Sequence, residues 1–209
     1  MVAKGSAYYC FCSSERLDTL RAEQEDLKLP LKYDGHCRDL PYEESRTRVE
    51  AGEPYTIRLR VPKAEKLEMQ DMIRGKIEFN TTEVEDQVLQ KTDGFPTYHG
   101  AIVIDDHLMG VTHVMRGEEW ISSIPKQILT ARALGITLPE YAHMPNIMGA
   151  DGKKLSKRTG DTAVELYLEK GYLPEAILNF VAFLGWNPKT TQEIFSLEEL
   201  VSAFEITNM

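Results

Sequence analysis

The hydrophobic period of this chain changes along its length, and that change limits the possible folds more than any other feature. Tyr55, Ile57, Leu59 and Val61 alternate with Thr56, Arg58 and Arg60, the period-two pattern of a half-buried strand. Beyond residue 121 the apolar residues recur at helical spacing instead. Residues 124–134 predict a helix stopped by Gly135, and residues 163–169 and 174–184 predict two more. Residues 196–204 predict a fourth, capped by Ser196 with Glu199 three positions on, a capping box. Two periods in one chain exclude an all-helical or all-strand architecture, and the expected class is α/β.

The first half adds weaker signals. Residues 13–28 predict a helix capped by Ser13 or Ser14, with Leu17, Leu20 and Leu27 near helical spacing and Pro30 beyond its end. A short helix is expected from Pro41 to just before Gly52. Residues 72–79 predict a strand with a bulge at Gly75, and residues 84–89 are too short to assign. Residues 101–104 predict a buried strand ending at Asp105 and Asp106. A boundary is expected near residue 100, where hairpin-like strands give way to alternating strands and helices. The acidic run from Asp18 to Asp26 is expected to be a solvated helix face.

Composition narrows the setting. The 209 residues are 42% hydrophobic and 27% charged, ordinary values for a globular chain. The longest near-continuous apolar run, residues 177–186, is interrupted by Asn179 and is too short to span a bilayer. Residues 1–6 hold no long apolar stretch, so no secretory signal is expected. Three cysteines are an odd number and close no disulfide framework, so a reducing, cytoplasmic compartment is expected. The net charge of −9 disfavours nonspecific binding to nucleic acid or acidic membrane, while leaving room for a local basic patch.

Two segments carry chemistry. Lys153, Lys154, Lys157 and Arg158 are interleaved with Leu155 and Ser156 and followed by Thr159 and Gly160, after a turn at residues 149–152. Four cations on a flexible loop suit a polyphosphate, whose leaving pyrophosphate develops charge that lysines neutralise. The plainer alternative is a solvated basic turn, and no Walker-type Gly-x4-Gly-Lys is present. The second segment is Cys10-Phe11-Cys12 with Cys37 downstream. Thiolates favour zinc, a closed site needs four ligands, and Tyr33, His36 or Asp39 is the candidate for the fourth. The alternative is buried free thiols. His99, His107 and His113 lack the spacing of a helix-borne metal pair and are expected to be structural or near a substrate.

The order of longer motifs is similar to that of the glutamyl-tRNA synthetase family of class I aminoacyl-tRNA synthetases. Residues 154–158, Lys-Leu-Ser-Lys-Arg, resemble the family's Lys-Met-Ser-Lys-Ser loop. Residues 93–99, 105–110, 113–120, 171–176 and 184–186 resemble its successive signatures, so that the likeness runs from about residue 4 to residue 205. The resemblance implies that Tyr98 and Arg116 bind the amino-acid substrate. Arginine's fork suits a carboxylate; the alternative for Arg116 is an ion pair with Glu118 or Glu119. It implies that Lys157, with Lys154 and Ser156, stabilises the phosphates of ATP. It places the backbone of Ile147 at adenine, and Glu119 and Trp120 beside the nucleotide. Ile102 stands where the family commonly has Asn, which removes an amide from the amino-acid pocket. The metal pattern there is Cys-x-Cys followed by Tyr-x3-Cys or Cys-x-His. Here Tyr33 and Cys37 match the first, and Asp39 replaces the histidine of the second.

The resemblance also implies a fold and a function. Residues 1–98 would form an inserted α+β region that binds the tRNA acceptor stem and holds a structural zinc. Residues 99–146 would form the second half of a Rossmann-like nucleotide-binding fold, and residues 147–209 a helical stem-contact domain with the lysine-rich loop. The expected reaction is ATP-dependent activation of glutamate and its transfer to the 3′ end of tRNA(Glu), with Mg2+, without DNA or membrane partners. No His-Ile-Gly-His-like motif is found, so an internal part of a longer enzyme is expected, inactive alone. The rivals are a shortened relative that glutamylates a modified tRNA base and an inert tRNA-binding module. An RNA-facing side would need cations such as Lys63, Lys66, Arg74 and Lys76 on an otherwise acidic chain.

Overall fold

The computed structural model describes residues 1–149, 152, 154, 155 and 163–209, with the backbone alone at Thr207. Its elements begin with β1 (Ala7–Cys10), α1 (Ser14–Asp26), α2 (Tyr42–Glu50) and β2 (Thr56–Leu59). They continue through β3 (Lys66–Asp71), β4 (Gly75–Asn80), β5 (Val88–Gln90), α3 (Tyr98–Leu108) and β6 (His113–Gly117). The rest are α4 (Ile124–Leu134), β7 (Glu140–Met144), α5 (Val164–Glu169), α6 (Pro174–Ala182) and α7 (Leu197–Ala203). The described residues gather into two compact units. The first holds Met1–Met69, Glu78–Thr112 and Ser122–Pro139, the second Gln70–Ile77, His113–Ile121 and Glu140–Met209.

In the first unit β1, β2 and β5 form an antiparallel sheet in the order β1-β2-β5, with Ala7 opposite Leu59 and Cys10 opposite Thr56. Leu59, Val61, Leu67, Leu89 and Leu129 make its apolar core. Each such leucine contributes about 1.5–3 kcal/mol on burial. A buried charge is matched rather than avoided. The Asp86 carboxylate accepts from the Tyr8 hydroxyl at 2.6 Å, from Arg38 Nη1 at 2.5 Å and from the Val61 amide at 3.0 Å. Arg58 donates to the Asp86 carbonyl at 2.9 Å. A carboxylate taken from water is tolerable only with such donors.

Two sequence expectations fail here for identifiable reasons. Residues 72–79 are not one bulged strand. They are the turn and second arm of the β3–β4 hairpin: the Asp71 carboxylate accepts from the amides of Ile73 at 3.0 Å and Arg74 at 2.9 Å, and Gly75 takes φ +71°. A short hairpin loop that ends in a left-handed glycine is a favoured geometry. β3 itself gives little signal because Leu67 and Met69 alternate with Lys66, Glu68 and Gln70, too few apolar residues to announce a strand. Residues 101–104 are not a buried strand but part of α3. Thr97 caps that helix by accepting from the Gly100 amide, and burial falls on Gly100 and Val103, three apart, while Ile104 is exposed. A four-residue apolar run does not distinguish the two structures. Gly100 is required where it stands: a Cβ there would lie 2.1 Å from the Leu89 carbonyl oxygen.

In the second unit β6 and β7 pair in parallel, His113 opposite Glu140 through Gly117 opposite Met144. Asp71 of β3 pairs in parallel with Tyr141 on β7's other side. The chain between β6 and β7 runs through α4, the long crossover that parallel strands need. α6 starts at Pro174, and α7 carries the expected capping box of Ser196 and Glu199. Trp186, Phe195 and Leu200 form a small core among these last elements. No helix among the described residues is long and apolar enough to cross a membrane.

Candidate active site and thiol cluster

Arg116 and His143 face each other in the β6–β7 register, so their side chains emerge on one face of the sheet. Arg116 Nε donates to His143 Nε2 at 3.1 Å. His143 Nδ1 lies 2.7 Å from Asp71 Oδ2, and both side chains are wholly buried. Asp71 also accepts the His143 amide at 3.2 Å, beside the amides of Ile73 and Arg74. Burial works to raise the Asp71 carboxyl, but the Arg74 amide, His143 and the Ile73 amide outweigh it and hold it below the ordinary range. The Tyr141 ring stacks on His143 with planes 8° apart. The Arg116 guanidinium lies 5.1 Å from the centroid of Tyr141 and 5.8 Å from that of Trp120.

The neighbouring carboxylates are engaged with other cations. Glu118 forms an ion pair with Arg74 and accepts from the Asn146 amide at 3.3 Å and side chain at 3.2 Å. Arg74 Nε reaches the His143 carbonyl at 3.1 Å, so of the four cations suggested for an RNA face, Arg74 braces this site. Glu119 forms an ion pair with Lys154. Hydrogen bonding from Lys154 holds the Glu119 carboxyl below its ordinary range. The Ile147 carbonyl accepts the Leu155 amide at 2.8 Å, and Met148 bridges to Lys154. Four expected site residues, Arg116, Glu119, Ile147 and Lys154, therefore belong to the second unit. Ser156 and Lys157 lie outside the described residues. Tyr98 belongs to the first unit, at the start of α3, 43% exposed and edge-on to His99.

The cysteines of the first unit converge. Cys10, Cys12 and Cys37 place their sulfurs within 4.8 Å of one another. The Tyr33 hydroxyl lies 3.3 Å from Cys10 Sγ and 3.6 Å from Cys12 Sγ, and it accepts the Cys37 amide at 2.9 Å. The Phe11 amide donates to Cys37 Sγ at 3.4 Å and Arg16 Nη1 to Cys12 Sγ at 3.6 Å. Hydrogen bonding with Cys37 holds the Cys10 thiol below its ordinary range, while the same contact and then burial push Cys37 up. Burial, then Cys10, pushes the Tyr33 phenol up. Three soft sulfurs and one oxygen are a donor set that suits zinc. Asp39 lies apart from it, its carboxylate 3.5 Å from Arg60, and His36 has its amide on Asp34.

Asp71 and His143 are not legible in the sequence. Both are single residues in short strands, and their mutual partner is 72 positions away. The one signal for them is that His143 stands opposite Arg116 once β6 and β7 are paired, and that register needs both strands placed.

Comparison with known proteins gives one family over the whole chain. The family model for tRNA synthetases class I (E and Q), catalytic domain, matches residues 1–209. The chain is similar to the glutamate--tRNA ligase of Clostridioides difficile (strain 630), 52% identical over 206 residues, which are 99% of this chain and 42% of the relative. It is equally similar to that of Alkaliphilus metalliredigens (strain QYMF), 52% identical over 206 residues with the same shares of 99% and 42%. Among solved structures it is similar to glutamate-tRNA synthetase from Elizabethkingia anophelis, with a TM-score of 0.87, 40% identity, and coverage of 97% of this chain and 46% of that one. The chain thus spans less than half the length of the relatives it matches.

Proposed function

This chain belongs to the class I tRNA synthetase family (E and Q) of catalytic domains, and from that membership we propose that it works as part of a glutamate–tRNA ligase. The observation that carries the proposal is in the second unit. Lys154, in the lysine-rich segment, is paired with Glu119, beside the strand that bears Arg116. A polyphosphate cation and a carboxylate-binding fork on one unit are what an adenylating site needs.

In the proposed reaction a glutamate carboxylate oxygen attacks the α-phosphorus of ATP, the α–β phosphoanhydride bond breaks, and pyrophosphate leaves. A terminal ribose hydroxyl of tRNA then attacks the acyl carbon and AMP leaves. Neither step requires a protein nucleophile, so the residues act by position and charge. Arg116 holds a substrate carboxylate, and Tyr98 adds a hydroxyl to amino-acid recognition. Lys154, Lys157 and Ser156 meet the phosphates together with Mg2+, and the backbone at Ile147 and the side chain of Glu119 border the nucleotide. Residues 1–98 serve as the acceptor-stem region, 99–146 as the second half of the nucleotide fold, and 147–209 as the stem-contact domain. Zinc bound by Cys10, Cys12, Cys37 and Tyr33 supplies a structural cross-link in the first of these, and the reaction is cytoplasmic.

The test is a segment exchange. The 206 matching residues replace their counterpart in the Clostridioides difficile enzyme, and the folded hybrid is assayed for glutamate-dependent ATP–pyrophosphate exchange and for charging of unmodified tRNA. Both activities are expected. A hybrid that melts cooperatively but does neither overturns the proposal, and one that glutamylates only tRNA bearing the modified base supports the shortened relative. The 209-residue chain alone is expected to show no exchange.

A further inference from the structure

Arg116 meets His143 through Nε, on the side of its guanidinium. The Nη1–Nη2 fork is the part that pairs bidentately with a carboxylate. The group behind Nε therefore bears on how the fork is aimed.

The hydrogen-bond roles behind it are forced. Arginine donates and never accepts, so His143 Nε2 must accept and cannot carry a proton. An ionised Asp71 accepts and never donates, so His143 Nδ1 must carry the proton. Both partners demand the same neutral tautomer, with Nδ1 protonated. The carboxylate itself is held in place by the amides of Ile73, Arg74 and His143. The imidazole has no room to choose otherwise: it is fully buried, and Tyr141 stacks on its face.

We propose that His143 and Asp71 are positioning residues for amino-acid binding: Asp71 fixes the His143 tautomer, and His143 aims the fork of Arg116 at the substrate carboxylate. The inference rests on the reading of Arg116 as the residue that binds that carboxylate. It predicts that the relay works one bond at a time, from the β3–β4 turn through β7 to β6. A disturbance at Asp71, which touches no substrate, weakens glutamate binding and leaves nucleotide binding alone.

Two measurements test it separately from that reading. In the 209-residue chain labelled with 15N-histidine, long-range proton–nitrogen correlation reports which ring nitrogen of His143 is protonated. The expected result is the Nδ1–H form in the parent and a substantial Nε2–H population in Asp71→Asn, whose amide can donate as well as accept. An Nε2–H form in the parent overturns the proposal. In the hybrid enzyme, Asp71→Asn and His143→Phe are expected to raise the KM for glutamate about 10-fold, the loss of one well-made charged hydrogen bond. The KM for ATP stays within about 2-fold of the parent value, far below the loss of such a bond. His143→Gln, whose amide keeps an acceptor and a donor, recovers part of the loss. Equal rises in both constants, or no rise for glutamate while Arg116→Ala raises it strongly, overturn the proposal. If Arg116→Ala itself leaves the glutamate KM unmoved, the reading of Arg116 fails and the proposal falls with it, even where the tautomer is as expected.

Discussion

The two buried polar clusters of this molecule are built in opposite ways. The thiol cluster comes from near neighbours: Cys10 and Cys12 flank a single residue, and Tyr33 and Cys37 are four apart. The Asp71–His143–Arg116 chain comes from three strands, the first pair 72 positions apart and the second 27. The first is a convergent set of three sulfurs and one phenol oxygen, a donor set of the kind that suits a cation. The second is a run of matched donors and acceptors, from the Asp71 carboxylate through the His143 ring to Arg116 Nε. On the proposed zinc reading, a cluster of the first kind depends on a cation supplied from outside, whereas one of the second kind depends on the identity of every side chain in it.

The largest effect is expected from removing the carboxylate on which the Asp71–His143–Arg116 chain is anchored. Asp71→Ala strips the acceptor from the buried Nδ1 and amide of His143 and from the part-buried amides of Ile73 and Arg74. Leaving buried donors unmatched in this way costs about 3 kcal/mol or more. Urea unfolding of the 209-residue chain is expected to show that loss, and a change under about 1 kcal/mol would mean that water replaces the carboxylate without cost. Chelation is the matching test on the thiol cluster. Zinc present at about 100 times its dissociation constant stabilises by about 2.7 kcal/mol. Stripping it with EDTA should lower the melting temperature, and Cys37→Ser should abolish the difference. The Asp71 cluster should be indifferent to EDTA, as judged by the His143 tautomer signal.

The same contrast explains what can be read from the sequence. Cys-x-Cys and Tyr-x3-Cys are local patterns, so the thiol cluster is legible, with Tyr33 among the candidates for its fourth member. The capping box at Ser196 and the stop at Gly135 are local as well, and both helices stand where their spacing puts them. β3 is missed and α3 is read as a strand, because the apolar pattern of each is too short to decide. β3 shows only Leu67 and Met69 to the apolar side, and the run at residues 101–104 becomes a helix because Thr97 caps it and Gly100 lets it approach Leu89. His143 is invisible because its meaning comes from the register of two parallel strands.

A milder test varies protonation instead of composition. The folded-state value of the Asp71 carboxyl is held below its unfolded value. Its stabilisation is therefore complete above the ordinary carboxyl range near pH 4, and is lost as pH falls through the lower folded value. The parent chain should lose stability on acidification more steeply than Asp71→Asn, by less than the full effect of Asp71→Ala. Parallel acid limbs in the two chains would show that other carboxylates govern the slope.

The smallest effect is expected at Glu119, where stability and function should separate. Its ion pair with Lys154 is half-exposed, with side-chain exposures of 41% and 50%, and pairs of that kind contribute about 0.2–1 kcal/mol. Glu119→Gln should therefore move the unfolding midpoint by little, and by less still at high salt, since screening already weakens the parent pair. Its effect on nucleotide use runs through Lys154. With a carboxylate partner, the ammonium is parked beside β6 and must leave it to meet a phosphate. With the neutral amide that competition is gone, so the hybrid enzyme carrying Glu119→Gln should show an ATP KM that is unchanged or lower, with the glutamate KM unmoved. A rise in the ATP KM would mean that Glu119 holds Lys154 at its working position, and that the pair belongs with the matched Asp71–His143–Arg116 chain of the same unit.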